Sequence, residues 1–225
     1  MIHALTLSVV PINDALARDW PQAQRMNLID DSLSVDLERS GGRLDDAMTA
    51  RFMALADYAV STGAQAILFT CSAFGTCIDA VAHHHAALPV LKPNQAMIDE
   101  AVASSQRVGL LATFAPTLES MPGEFPAGTP LKCKLIASAM AALQRGDAAT
   151  HDSLAADAAE QLASAGCGVI ALAQFSLARA APLVALRTGL PVLSTVDSSV
   201  RVLRERITAR CAIAASSAAK STPQR

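Results

Sequence analysis

The sequence predicts an α/β protein built from two similar three-layer halves with mostly parallel sheets, and three observations carry that expectation. Short apolar blocks at Ala66 to Phe69, Val108 to Thr113 and Val169 to Ala173 alternate with stretches of helical period. That is the pattern of buried parallel strands joined by helices. Gly63 to Cys71 also aligns without a gap on Gly166 to Gln174, and Leu88-Pro89-Val90-Leu91 recurs as Leu190-Pro191-Val192-Leu193. Finally, a first strand closed by Pro11 matches the strand that ends at Pro116, so all three coincidences share a displacement of about 102–105 residues. Two halves related by a pseudo-twofold axis would enclose one cleft at the carboxyl ends of their strands, where open α/β folds bind ligands.

The elements follow in order. Ala4 to Val10 reads as the first strand, Ile12 to Trp20 as a helix and Arg25 to Leu28 as a second strand. Asp30 to Leu33 and Gly41-Gly42 mark loops. From Asp45 to Ser61, apolar residues at Met48, Phe52, Leu55, Ala56, Ala59 and Val60 form a helical stripe, with Gly63 as its stop. The strand ending at Phe69 precedes a helix over 73–85, a strand at Leu88 to Leu91 and a helix from Gln95 to Ser105. In the second half, Pro122 to Pro130 is a surface loop and Lys132 to Ile136 an edge strand. Asp147 caps a helix to Ala165, Leu177 to Thr188 is helical, Leu190 to Ser194 is a strand, and Asp197 caps a last helix to about Ala214. The organisation expected is a first half over 1–102, whose C-terminal helix packs on the other half, a second half over 103–214, and a disordered tail over 215–225.

Composition narrows the function. The chain is 52% hydrophobic and 17% charged, enough for a sizeable core. A net charge of −2 without a basic stripe argues against nucleic acid as a partner, and 4% aromatics against a stacking platform. Five cysteines at irregular spacing fit a reducing compartment, and none forms a CxxC pair. The start lacks the basic segment of a signal peptide and no apolar run is long enough for a membrane span, so a soluble cytoplasmic protein is expected. No phosphate-binding glycine pattern occurs, and neither a metal nor an organic cofactor is expected. His83-His84-His85 reads as a solvated helix end, because adjacent helical residues point in different directions. His3 and His151 show no partner in the sequence and read as structural or surface residues.

Cys71 is the chemical centre. It lies where a strand gives way to a helix, and a thiol beside the positive end of a helix is expected to have a lowered pKa. Cys77 reads as core. Lys92 and Arg179 are further groups that could meet a carboxylate, with surface salt bridges as their ordinary alternative.

Phe69-Thr70-Cys71-Ser72-Ala73-Phe74 resembles the cysteine motif of the aspartate/glutamate/hydantoin racemase superfamily, which also includes arylmalonate decarboxylase and maleate isomerase. The strand end Leu110-Leu111-Ala112-Thr113 is similar to that family's ligand-binding loop, and the resemblance covers roughly residues 4–205. It implies cofactor-independent proton transfer at the α-carbon of a small carboxylate, an amino acid or related acid, with Cys71 as acid and base. It further implies hydrogen-bond donors for the enolate-like intermediate, from Ser72, Ala73, Thr113, Phe114, Thr117, Phe175 and Ser176. The racemases carry a second cysteine where this chain has Gln174, and an amide does not exchange a proton near neutral pH. Cys167 lies about seven residues and roughly 20 Å away along the strand and does not replace it. Two enzymatic readings therefore stay open, an isomerase of the racemase type and a single-cysteine decarboxylase of a substituted malonate. A non-catalytic carboxylate-binding protein is the third, and a homo-oligomer is open in each.

Overall fold

The computed structural model describes residues 1–220, with side chains through residue 213. Eight strands and ten α-helices alternate along the described chain. The first half contains β1 (Ile2–His3), α1 (Val9–Asp19), β2 (Leu28–Ile29), α2 (Ser32–Arg39), α3 (Asp46–Ser61), β3 (Ile67–Leu68), α4 (Gly75–His84), β4 (Val90–Leu91) and α5 (Gln95–Ala103). The second contains β5 (Val108–Ala112), α6 (Ala115–Ser120), β6 (Leu131–Leu135), α7 (Ala137–Gln144), α8 (Ala148–Ser164), β7 (Val169–Leu172), α9 (Ala181–Thr188), β8 (Val192–Ser194) and α10 (Thr195–Lys220). Residues 221–225 of the expected tail lie outside the described residues.

All pairings are parallel, as strands linked by helical crossovers require. The second sheet runs β6-β5-β7-β8, and the first repeats that order, its β2-β1 and β3-β4 pairs joined by the bridge between Ile2 and Phe69. The repeat holds to single hydrogen bonds. Thr70 N–H donates to Ile2 C=O as Ala173 N–H donates to Leu111, and Ile67 N–H to Pro89 as Ile170 N–H to Pro191. His3 C=O accepts from Asp30 as Ala112 C=O accepts from Ile136. In this register Cys71 corresponds to Gln174, Thr70 to Ala173 and His3 to Ala112.

Each sheet is covered on both faces. Ile67 and Phe69 point toward α3 and α4, while Leu68 and Leu91 meet α1 and α10. In the second half Ile170 and Leu172 pack under α8 and α9, while Val169 and Ala171 meet α5. The last helix of each half thus lies on the other half's sheet: Met97, Ile98 and Ala101 of α5 enter the second core, and Val196, Val200 and Leu203 of α10 enter the first.

The cap at Asp147 is as read, and Asp45 caps α3 in the same way, each carboxylate accepting a main-chain N–H, from Thr150 and Met48 respectively. Other elements differ from the sequence reading. The first strand ends at His3, and the chain then makes a 3-10 turn over Thr6–Ser8 and enters α1. Leu5, Leu7 and Val10 are exposed and do not alternate in and out, whereas Ile12, Ala15 and Leu16 form a buried helical face. Pro11 sits in the first turn of α1, where a missing N–H leaves no intrahelical bond unmade. The match of Pro11 to Pro116 is therefore not a match of strand ends. Asp197 is likewise not the cap of α10. Ser194 is, its Oγ accepting from Asp197 N–H while donating to the Asp197 carboxylate at 2.6 Å.

Candidate functional site

Four strands end in the same local device. Leu5 after β1, Cys71 after β3, Phe114 after β5 and Gln174 after β7 each hold an extended backbone and open a tight helical turn. The turn after β1 packs on the turn after β7, and the turn after β3 packs on α6. The two halves thus meet through exchanged partners, and Cys71 and Gln174 occupy equivalent places at that meeting point. None of the segments Ala4 to Ser8, Cys71 to Phe74, Thr113 to Thr117 and Gln174 to Ser176 contains Asp, Glu, Lys or Arg.

Cys71 is half-buried, and the Ala73 N–H points at its sulfur. Burial pushes the thiol above its ordinary range, and the Ala73 hydrogen bond only partly opposes that shift. This corrects the expected thiolate. The segment after Cys71 is a three-residue 3-10 turn over Ser72–Phe74, α4 starts only at Gly75, and desolvation outweighs the donors. The shift favours the protonated thiol. Its crevice is lined by Ile2, His3, Ala4, Leu33, Phe52 and Phe69, and none of its space admits a water-sized sphere. Phe52 holds both flanks of the thiol, its ring centroid 5.3 Å from that of Phe69 and 4.8 Å from that of Phe74. Phe52→Ala is expected to cost about 3–5 kcal/mol in urea unfolding. A loss under about 1 kcal/mol would show that the cluster repacks.

On the other side the Gln174 Oε1 accepts from Thr113 N–H at 2.6 Å and from Thr113 Oγ at 2.8 Å. Two donors side by side form a seat for an oxygen acceptor, and Gln174 fills it. Thr117 and Ser176 are buried, Phe114 is 55% exposed, and Ser72 is half-buried beside Cys71. The Phe175 ring lies in the core with Ile12, Leu16 and Leu68, so its side chain does not face a ligand.

Several sequence candidates are drawn elsewhere. Lys92 pairs with Asp79 at 2.6 Å and Arg179 with Asp152 at 2.9 Å. His151 is buried and its Nδ1 meets Asp152 at 2.7 Å. Cys77 is fully buried core, as read. Two of the three adjacent histidines do converge, a correction: His84 and His85 with Asp57 hold ligand atoms within 4.8 Å of one another. His85 is the non-helical cap of α4 (φ −97°, ψ 44°), so it escapes the helical spacing that would splay the pair. The group could take a cation, at the strand-start edge of the sheet and opposite Cys71.

The residue that sequence reasoning missed is His3. It is completely buried, lines the Cys71 crevice, and contacts Ser8 Oγ at 3.0 Å, Thr70 Oγ1 at 2.9 Å and Asn27 Oδ1 at 2.9 Å. Burial lowers its pKa, an effect the Asn27 hydrogen bond opposes and the Met1 amino group adds to.

Comparison of the sequence with family models and with curated proteins gives no match. Comparison of the fold does. An aspartate racemase homologue from Pyrococcus horikoshii superposes with a TM-score of 0.68 at 14% identity, over 92% of this chain and 97% of that one. Glutamate racemase from Thermus thermophilus, in complex with β-chloro-D-alanine, gives 0.63 at 16% identity over 93% and 80%. A glycine-to-cysteine mutant of arylmalonate decarboxylase gives 0.53 at 22% identity over 72% and 75%. The chain has the two-domain α/β fold of the aspartate and glutamate racemases. Among the described residues no helix is long and apolar enough to cross a membrane.

Proposed function

We propose that this protein is an enzyme of the aspartate/glutamate racemase superfamily that moves a proton at the α-carbon of a small carboxylate through Cys71. The observation that carries the reading is the half-buried Cys71 thiol at the end of β3, beside the meeting of the two halves and equivalent in the repeat to Gln174. The Thr113 N–H and hydroxyl are suited to a carboxylate or enolate oxygen once Gln174 yields them. The charge-free loops, with Leu5, Leu7 and Phe114 exposed around them, favour an apolar α-substituent over a second charged group. The protein is read as cytoplasmic, its partner as a small carboxylate, and its chemistry as independent of metal or organic cofactor.

One observation favours the decarboxylating form of this chemistry. Gln174 has no proton to exchange and is tied to Thr113, so a proton arrives from the Cys71 face alone. A substituted malonate losing carbon dioxide leaves an enolate that needs one proton on one face, and a neutral thiol is its donor. The test is a panel of 2-aryl and 2-alkyl malonates, 2-substituted carboxylates and acidic amino acids in deuterium oxide. Deuterium at the α-carbon and released carbon dioxide are measured. We expect one apolar-substituted acid to react and aspartate and glutamate to lag. If nothing exchanges and Cys71 alkylates no differently with ligand present, a binding protein is the better reading.

A further inference from the structure

The polar groups behind Cys71 have no counterpart in the other half. In the repeat His3 corresponds to Ala112 and Thr70 to Ala173, both alanines buried in an apolar core. The fold is therefore built at these two positions without any polar side chain. Only the half that bears the thiol places a histidine and a threonine there. Burying polar groups costs free energy unless each finds a partner, and here each does.

The partners also fix the histidine's proton. Asn13 Nδ2 donates to Val9 C=O at 2.8 Å, which sets the orientation of that amide. Asn13 Nδ2 then donates to Asn27 Oδ1 at 3.0 Å, so the Asn27 oxygen is the atom facing His3 Nε2. Nε2 must carry the hydrogen, and Nδ1 is left as an acceptor. The Ser8 hydroxyl directs its own hydrogen to Leu5 C=O at 2.7 Å, so the Thr70 hydroxyl is the donor left within reach of Nδ1, at 2.9 Å, with Ser8 Oγ, also at 2.9 Å, as its other acceptor. Thr70 is the residue before Cys71, and its N–H is tied to Ile2 at 3.1 Å.

We propose that His3 is a positioning residue for Cys71: its neutral imidazole holds the Thr70 hydroxyl and so fixes the strand end from which the thiol is presented. The inference rests on the reading of Cys71 as the proton carrier, but one of its readouts does not need activity. Two variants divide the imidazole. In His3→Asn the amide oxygen can stand where Nδ1 stood and still accept from Thr70. In His3→Gln the amide nitrogen can replace Nε2 toward Asn27, and the imidazole acceptor for Thr70 is lost, leaving Ser8 Oγ as the nearest one. Thr70→Val removes the hydroxyl and keeps the branched shape.

The measurements are iodoacetamide labelling of Cys71 and of Cys77, read peptide by peptide at pH 7.5, with kcat and KM on any substrate found. Releasing Thr70 loosens and hydrates the thiol, so His3→Gln and Thr70→Val should label Cys71 at least about threefold faster. The fully buried Cys77 should keep its wild-type rate. The same two variants should lose about tenfold or more in kcat with KM little changed, and His3→Asn should stay near wild type in both. Labelling of Cys71 within twofold of wild type in His3→Gln and Thr70→Val, with Cys77 protected, would overturn the proposal. So would equal effects in His3→Asn and His3→Gln, which mean packing alone, or faster labelling of both cysteines, which means general loosening. If no substrate reacts, the labelling still decides the role of His3, while the enzymatic reading fails separately.

Discussion

Cys71→Ala is expected to abolish turnover, lowering kcat by about 100- to 10,000-fold, while the protein folds as before. The side chain is half-buried and touches no hydrogen-bond partner except the Ala73 N–H. Removing one sulfur atom therefore changes the chemistry far more than the packing. Cys77→Ala is the control, since Cys77 sits fully buried on α4, six residues on, facing α3 and the first core. It should retain most activity and lose some stability, the reverse of Cys71→Ala. The pH dependence is fixed by the direction of the thiol's shift. Because burial raises the folded pKa, labelling of Cys71 should rise with pH later than that of a free cysteine. By the same linkage the unfolded chain gives up this proton first, so the contribution of Cys71 to stability is complete below the unfolded pKa. It is lost as pH rises through the folded value. Equal loss of activity in both variants, or a Cys71 that labels faster than free cysteine at neutral pH, would refute the protonated-thiol site.

What the sequence made legible, and what it hid, follows from the range of the interactions involved. The repeat of Gly63 to Cys71 in Gly166 to Gln174 is local, and it led to the correct register of β3 and β7 and to Gln174 as the partner position of Cys71. The cap at Asp147 was readable because a cap acts over three residues. The first strand was misplaced because Leu5, Leu7 and Val10 look like strand interior but are exposed. Helices α2, α6 and α7 are six to eight residues long, too short to display a period. His3 was hidden for a different reason. Its partners lie 5, 24 and 67 residues away, so nothing near it in the chain marks it as anything but a stray histidine. The sign of the Cys71 shift was hidden too, since the motif shows the turn donors and not the aromatic wall that removes water.

Gln174→Cys should add proton exchange on the second face of the substrate. In the wild type Cys71 is the one acid–base group at the ends of β3 and β7, so a prochiral enolate should yield product of one hand, and a fixed stereocentre should racemise slowly. The variant places a thiol at the equivalent strand end, and it also removes the amide oxygen from the Thr113 N–H and hydroxyl. These two effects must be separated, and Gln174→Ser does so, because it vacates Thr113 without supplying a thiol. Gln174→Cys is expected to raise the rate of racemisation or opposite-face deuterium incorporation at least about tenfold over wild type, and Gln174→Ser to leave the product of one hand. A common fall in KM for both variants would report freed Thr113 donors and not the new acid. Optical activity and deuterium content, followed together on one substrate, distinguish the cases. A wild type that already racemises quickly, with no change in the cysteine variant, would mean that a second proton carrier other than residue 174 faces the substrate. His3 would then be the first group to test, being the one other titratable side chain lining the Cys71 crevice.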